Sequence, residues 1–194
     1  MGATAVRRAV VEAAARRFAA EGPDASLRDI ADDAGVNLGL IHRHVGNKDD
    51  LLRAVLDHEV DRGVGTITGA TDVGEALRRM LEGASDDGRY VRIVAGLLLK
   101  DPSSFRHQDR FPGMRALRDL PDPGGPAPDR YATAEPTERD ARLMLAMAAL
   151  YGWTVFGPQL RASFGADPAD EADLVARLGD ALVALATSPT TDEA

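Results

Sequence analysis

The chain contains no cysteine in its 194 residues. That excludes disulfides, thiolate metal sites and thiol nucleophiles together, and it suits a reducing compartment. Aromatic residues are scarce at 5 %, and only Phe18 of the nine lies before residue 90. Runs of β-branched residues, the usual mark of strands, are nearly absent. The start, 1–15, carries Arg7, Arg8 and Glu12 and no continuous apolar run, so it does not read as a secretory signal. Positive charge is also lacking overall. The net charge of −8 argues against a general nucleic-acid coat.

What charge there is lies unevenly. Residues 1–48 hold seven basic against six acidic residues, whereas the remaining 146 hold 16 against 25. An acidic body repels phosphate, so any affinity for nucleic acid has to come from a local, oriented group of side chains.

Ala, Leu, Arg, Glu and Asp dominate, which predicts an all-α fold. A first helix is expected over about Thr4 to Glu21, with Val6, Val10, Ala14 and Phe18 on one face and Gly22-Pro23 as its stop. Ser26 and Asp29 have the spacing of a capping box. Leu27, Ile30, Ala31 and Ala34 continue it as a short amphipathic helix that Gly35 ends. Asn37 caps a third helix with Ile41 and Val45 inward. A second box, Asn47 to Asp50, opens a longer helix to about Gly63 with Leu51, Val55 and Leu56 as its apolar side. Further helices are expected at about 73–82, 87–100, 112–119, from the Thr137/Asp140 box to Arg161, and at 169–187. Tyr90, Ile93, Val94, Leu97 and Leu98 form the stripe of the 87–100 helix. Seven of the eleven prolines fall between Pro102 and Pro136, which leaves 120–136 irregular.

Three short helices with glycine-bearing turns around the third are the sequence form of a helix-turn-helix. In that motif the second helix of the pair enters the major groove while its predecessor crosses the backbone. With Ile41 inward, the opposite face of the third helix presents Gly39 and Arg43, flanked by Leu40 and His42. Gly39 permits close approach of the backbone. Arg43 offers the donor fork that matches guanine O6 and N7, and an apolar side chain such as Leu38 or Leu40 can meet a thymine methyl. His42, His44 and Lys48 can donate to phosphates, as can Ser26 with the first N–H groups of its helix. Arg28 and Asn37, at the starts of the two helices, complete the candidate DNA-binding set.

The run VVEAAARRFAAEGPDASLRDIADDAGVNLGLIHRHVGNKDDLLRAVL, Val10 to Leu56, resembles the DNA-binding domain of the TetR family of regulators. The resemblance is carried by Arg-Phe-Ala-Ala-Glu-Gly at the end of the first helix, Ser-Leu-Arg-Asp-Ile-Ala-Asp-Asp-Ala-Gly-Val, the Arg-His pair and Gly-Asn-Lys. It departs from the family at Leu38, where Lys or Arg is usual, at Leu40, often Thr, and at His42, usually Tyr. The resemblance implies a DNA-binding domain over 3–63, with the linking helix 47–63 included, and a C-terminal helical domain over 64–194. That second domain would bind an effector and dimerise. The implied function is repression of transcription, relieved by a small molecule.

Other chemistries find little support. His42 and His44 sit two apart, about 200° around a helix, and cannot share an ion there. His58 and His107 have no ligand-spaced neighbours, so no metal and no cofactor are expected. Glycines 63, 65 and 69 follow no strand and make no phosphate loop. Serines 85, 103, 104 and 163 sit in no nucleophile elbow, which speaks against an enzyme. The uncharged 143–160 stretch is barely long enough to cross a membrane. As a soluble helix, apolar all round, it would be covered by its own domain on one side and a partner chain on the other. Leu174, Leu178, Ala181, Leu182 and Leu185 give the last helix a stripe for the same homodimer. Candidates for the lining of an effector pocket, biased to something largely apolar, are Tyr90, Leu98, Phe111, Met114, Met147, Tyr151 and Trp153, although each taken singly reads more readily as plain core. The overall expectation is a cytoplasmic, operator-binding homodimer. A helical module that binds another protein, or a small helical enzyme, stands as the alternative.

Overall fold

The computed structural model describes residues 2–101, 112–125 and 137–187. Among these residues all regular structure is helical: α1 (Ala3–Glu21), α2 (Leu27–Asp33), α3 (Leu38–His44), α4 (Lys48–Thr68), α5 (Val73–Asp86), α6 (Arg89–Lys100), α7 (Pro112–Arg118), α8 (Glu138–Phe164) and α9 (Glu171–Thr187), with a single 3-10 turn at Pro168–Asp170. The helices form two compact units. One takes in residues 1–62 and α6, and the other 63–88, α7 and everything beyond it that is described.

The core of the first unit follows the predicted helical phases. Val6, Val10, Ala14 and Phe18 of α1 are buried, as are Ile30 and Ala31 of α2, Ile41 of α3, and Leu51 and Val55 of α4. Leu27, Ala34, Val45 and Leu56 pack partly buried against them. Arg17 also links α1 to the end of α2: its Nε and Nη2 donate to the Asp33 carboxylate at 2.6 and 3.0 Å.

Helix α6 lies within this first unit, and here the packing departs from the expected division, which placed 64–194 together. Ile93 and Leu97 enter the same core as Phe18 and Ile41. Both ends of α6 are paired with the N-terminal helix and its turn: Arg89 Nη1 donates to Glu12 Oε1 at 2.6 Å, and Lys100 Nζ to Asp24 Oδ1 at 2.5 Å. Gly96 faces the Gly22-Pro23 turn, where an added Cβ would make an ordinary contact with Pro23 Cδ at 3.5 Å. Periodicity identified an apolar face on α6 but not the surface it meets. The expected stripe also shifts, because Val91 is buried while Leu98 is exposed.

Two expectations about helix ends need correction. The Ser26 hydroxyl accepts from the Arg28 N–H at 3.2 Å, so it caps one residue earlier than a box with Asp29 requires. The helix expected to stop near Gly63 runs on to Thr68. A helical glycine costs only about 1 kcal/mol against alanine, and Ile67 beyond it is buried in the second unit's core.

That second core gathers Ile67, Val73, Leu77 and Leu81 with Leu117 of α7, Leu143, Met147 and Leu150 of α8, and Leu182 of α9. Helix α5 starts on Asp72, whose side chain accepts from the Glu75 N–H at 2.9 Å. Helix α8 starts on the expected capping box. Thr137 Oγ1 accepts from Asp140 N–H at 3.2 Å, and the Thr137 N–H donates to Asp140 Oδ2 at 2.7 Å. From within that box Arg139 reaches the end of α7 and the residues after it: Nη1 and Nη2 donate to the carbonyls of Arg118 and Leu120 at 2.9 and 2.6 Å.

Helix α8 is long and apolar enough to cross a membrane by length and composition, and a third of its most apolar window is buried. Leu143, Ala146, Met147, Leu150, Thr154 and Gly157 make the inward face. Met144, Leu145, Phe156 and Leu160 lie exposed. The stripe expected on α9 is divided: Leu182 is buried in its own unit, Leu174 and Leu178 are half-buried, and Ala181 and Leu185 are exposed.

Candidate nucleic-acid interface

The turn between α2 and α3 is built from residues that allow it to be short. Gly35 takes a left-handed conformation at φ +64°, where a side chain would be strained. Its N–H bonds to Asp32 and that of Val36 to Ala31, which closes α2. Two residues on, the Asn37 side chain accepts from the Leu40 N–H at 3.0 Å and starts α3. A Cβ on Gly39 would stand 3.2 Å from Asn37 Oδ1, so the glycine leaves that cap undisturbed.

Ile41 is fully buried and fixes the phase of α3. Gly39, His42 and Arg43 consequently face outward. Ser26, Arg28 and Asn37 are also exposed. Leu38 and Leu40 show only part of their surface, because both pack against the core. His44 is half-buried, and its backbone carbonyl accepts from Arg7 Nη1 at 3.2 Å. Lys48, half-buried, opens α4 behind the Asn47–Asp50 box, in which Asp50 N–H donates to Asn47 Oδ1 at 2.9 Å and Asn47 N–H to Asp50 Oδ2 at 3.1 Å. Gly46 precedes the box at φ +122°, and a Cβ there would come within 3.0 Å of the Asp50 Cγ. This position requires glycine twice over, by conformation and by space.

Carboxylates of the unit are held ionised around this framework. The hydrogen bond from Arg17 holds Asp33 below the ordinary carboxylate range, with the charges of Arg17 and Arg16 adding to it and partial burial opposing it. Lys100, by hydrogen bond and charge, does the same for Asp24, and Lys48 adds a smaller share. Burial opposes ionisation of Glu12, but the hydrogen bond and charge of Arg89, with the charges of Arg16 and His58, outweigh it. Buried Glu59 accepts from Arg62 Nη1 at 3.0 and 3.3 Å. Glu12, Glu21, Asp24, Asp33, Asp50 and Glu59 are thus taken up in internal pairs, whereas Arg28, Arg43 and Lys48 are carried at the helix starts and on the outward face of α3.

A match to the family model of the bacterial regulatory proteins, tetR family, spans residues 10–55, which is this helical framework. An HTH-type transcriptional repressor of Mycobacterium tuberculosis, Rv3405c, is 36 % identical over 184 residues, covering 93 % of this chain and 89 % of that protein. The chain belongs to the TetR family. It is a DNA-binding transcriptional regulator. The HTH-type transcriptional repressor LfrR of Mycolicibacterium smegmatis is 39 % identical over 109 residues, 53 % of this chain and 57 % of its own length. In fold, the chain is similar to the candidate transcriptional regulator SCO4942 of Streptomyces coelicolor, with TM-score 0.65, 18 % identity and coverage of 93 % and 96 % of the two chains.

The residues expected to line an effector pocket divide between the units. Tyr90 and Leu98 are on α6 in the first. Burial raises the Tyr90 hydroxyl above its ordinary pKa. Met114, Met147, Tyr151 and Trp153 belong to the second core, Met147 buried and the other three partly so. Trp153 lies along α8, with ring atoms 3.3 Å from where a Cβ on Gly157 would be. Phe111 lies outside the described residues. Arg7 was absent from the sequence-derived site, since its partner is 37 positions away and no local spacing announces the bond.

Proposed function

We propose that this regulator is a homodimeric repressor that lays α3 in the major groove of an operator and is released by a small, largely apolar ligand. The observation that carries the reading is the disposition of α3: one side chain, Ile41, sunk in the core, and Gly39, His42 and Arg43 presented on the other side. In this reading Arg43 contacts a guanine edge, Leu38 and Leu40 offer apolar surface to thymine methyls, and Ser26, Arg28, Asn37, His42, His44 and Lys48 position the backbone. Repression is supported by the relatives Rv3405c and LfrR, both HTH-type transcriptional repressors. The protein then works in the cytoplasm, where the operator is, and performs no catalysis.

A homodimer is supported by α8, where Met144, Leu145 and Phe156 are each more than half exposed. Large apolar patches of this kind ordinarily mark an interface, and a typical one buries about 800 Å² per partner. The effector is assigned to apolar side chains of the second unit, with Met114, Met147, Tyr151 and Trp153 as its lining. Selection of binding sites from random DNA tests the reading. It should return a roughly palindromic site with half-sites about 34 Å apart, and failure to enrich any sequence would reject it. A thermal-shift screen of apolar compounds tests the ligand, whose binding should raise the melting temperature and release the selected site.

A further inference from the structure

Helix α3 has seven residues and one fully buried side chain, Ile41. Leu38, Leu40 and Val45 pack only partly buried beside it, and a small tilt about Ile41 moves Arg43 away from a base edge, so ties at the ends of α3 add to its hold. Asn37 ties the first end. At the other, the Ile41 carbonyl accepts from the N–H groups of both Val45 and Gly46, at 2.8 and 3.1 Å. The last carbonyls of a helix otherwise have no donor. The His44 carbonyl takes its donor from Arg7 Nη1 at 3.2 Å. Arg7 is well placed to act as a fixed post: it follows buried Val6 on α1, a nineteen-residue helix anchored through Val10, Ala14 and Phe18. A cation at a helix C-terminus also meets the negative end of the helix dipole.

We propose that Arg7 is a positioning residue for operator discrimination, acting through the C-terminal end of α3 without itself contacting DNA. The proposal rests on the reading of α3 as the recognition helix. It separates Arg7 from Lys48, which serves the same reading as a phosphate donor.

The test uses the full-length protein, its selected operator and a random duplex of equal length. Arg7→Ala and Arg7→Met, the latter keeping most of the apolar stem, are compared with wild type after far-UV circular dichroism shows unchanged helix content and melting. The ratio of operator to random-DNA affinity should fall roughly two- to tenfold, the size of one exposed hydrogen bond, in whichever of the two variants folds. The salt dependence of binding to random DNA should not change. Introduced into Arg43→Ala, the same substitutions should cause little further loss of discrimination, because both act through one contact. A salt slope shallower by about one, with losses that add to those of Arg43→Ala, would make Arg7 a phosphate contact and overturn the proposal. An unchanged affinity ratio would overturn it as well. If the wild-type protein prefers no sequence, it is the recognition-helix reading that fails.

Discussion

Arg17 and Asp33 meet through two hydrogen bonds, Nε to Oδ2 at 2.6 Å and Nη2 to Oδ1 at 3.0 Å, while Arg17 Nη1 also reaches Glu21 Oε1 at 2.5 Å. The pair ties α1 to the last residue of α2, which the short turn at Gly35 follows. The Asp33 carboxyl is held below its ordinary value of 3.8, mainly by the Arg17 hydrogen bond. A depressed carboxylate contributes stability in full above its unfolded value and loses it as pH falls through the folded one. Asp33→Asn should therefore melt below wild type at pH 7. The two melting temperatures should converge as the pH is taken below 3.8. A gap that persists unchanged into that acid range would show that the pair is not its source.

Gly46 tests the entry to α4. Replacing it with alanine puts a Cβ at positive φ and against the Asp50 side chain that closes the box on Asn47. The strain should cost about 1–3 kcal/mol, read as a lower denaturant midpoint at unchanged slope. Stability equal to wild type would mean that the turn relaxes without cost.

Lys48→Ala separates phosphate contacts from base contacts. Random and operator DNA should weaken alike, and the salt dependence should become shallower by about one for each lysine lost from the complex. Loss confined to the operator would turn Lys48 into a base reader.

Phe156 probes the dimer. It is 55 % exposed on α8, about three turns along the helix from Met144 and Leu145, which are exposed as well. Phe156→Glu should leave the helix content intact and convert a species of twice the chain mass to monomer in sedimentation at micromolar concentration. A wild-type protein that already sediments as a monomer would remove the reason given for the apolar surface.

Much of this architecture was legible because helical phase is local. Val6, Val10, Ala14 and Phe18 share a face by spacing alone, and the caps at Asn37, Asn47 and Thr137 follow from side-chain reach over three residues. What was hidden depends on distance in sequence. The stripe on α6 announced that the helix is covered, but Ile93 and Leu97 pack with a core built from residues 6–55, a choice no periodicity encodes. Gly63 read as a stop because its intrinsic cost is visible, whereas the burial of Ile67 that accompanies the continuation is not. At the interface the outward set Gly39, His42 and Arg43 followed from Ile41. The partial burial of Leu38 and Leu40, and the Arg7 bond to His44, came only with the folded unit.

Sequence reading by Arg43 is the central claim, and its most direct test is a pair of binding curves. The operator selected from random DNA is titrated with wild type and with Arg43→Ala at one salt concentration, alongside a random duplex. The variant should lose roughly 1–3 kcal/mol of operator preference while its binding to random DNA changes little. An Arg43→Ala protein that binds the operator as tightly as wild type would contradict the account.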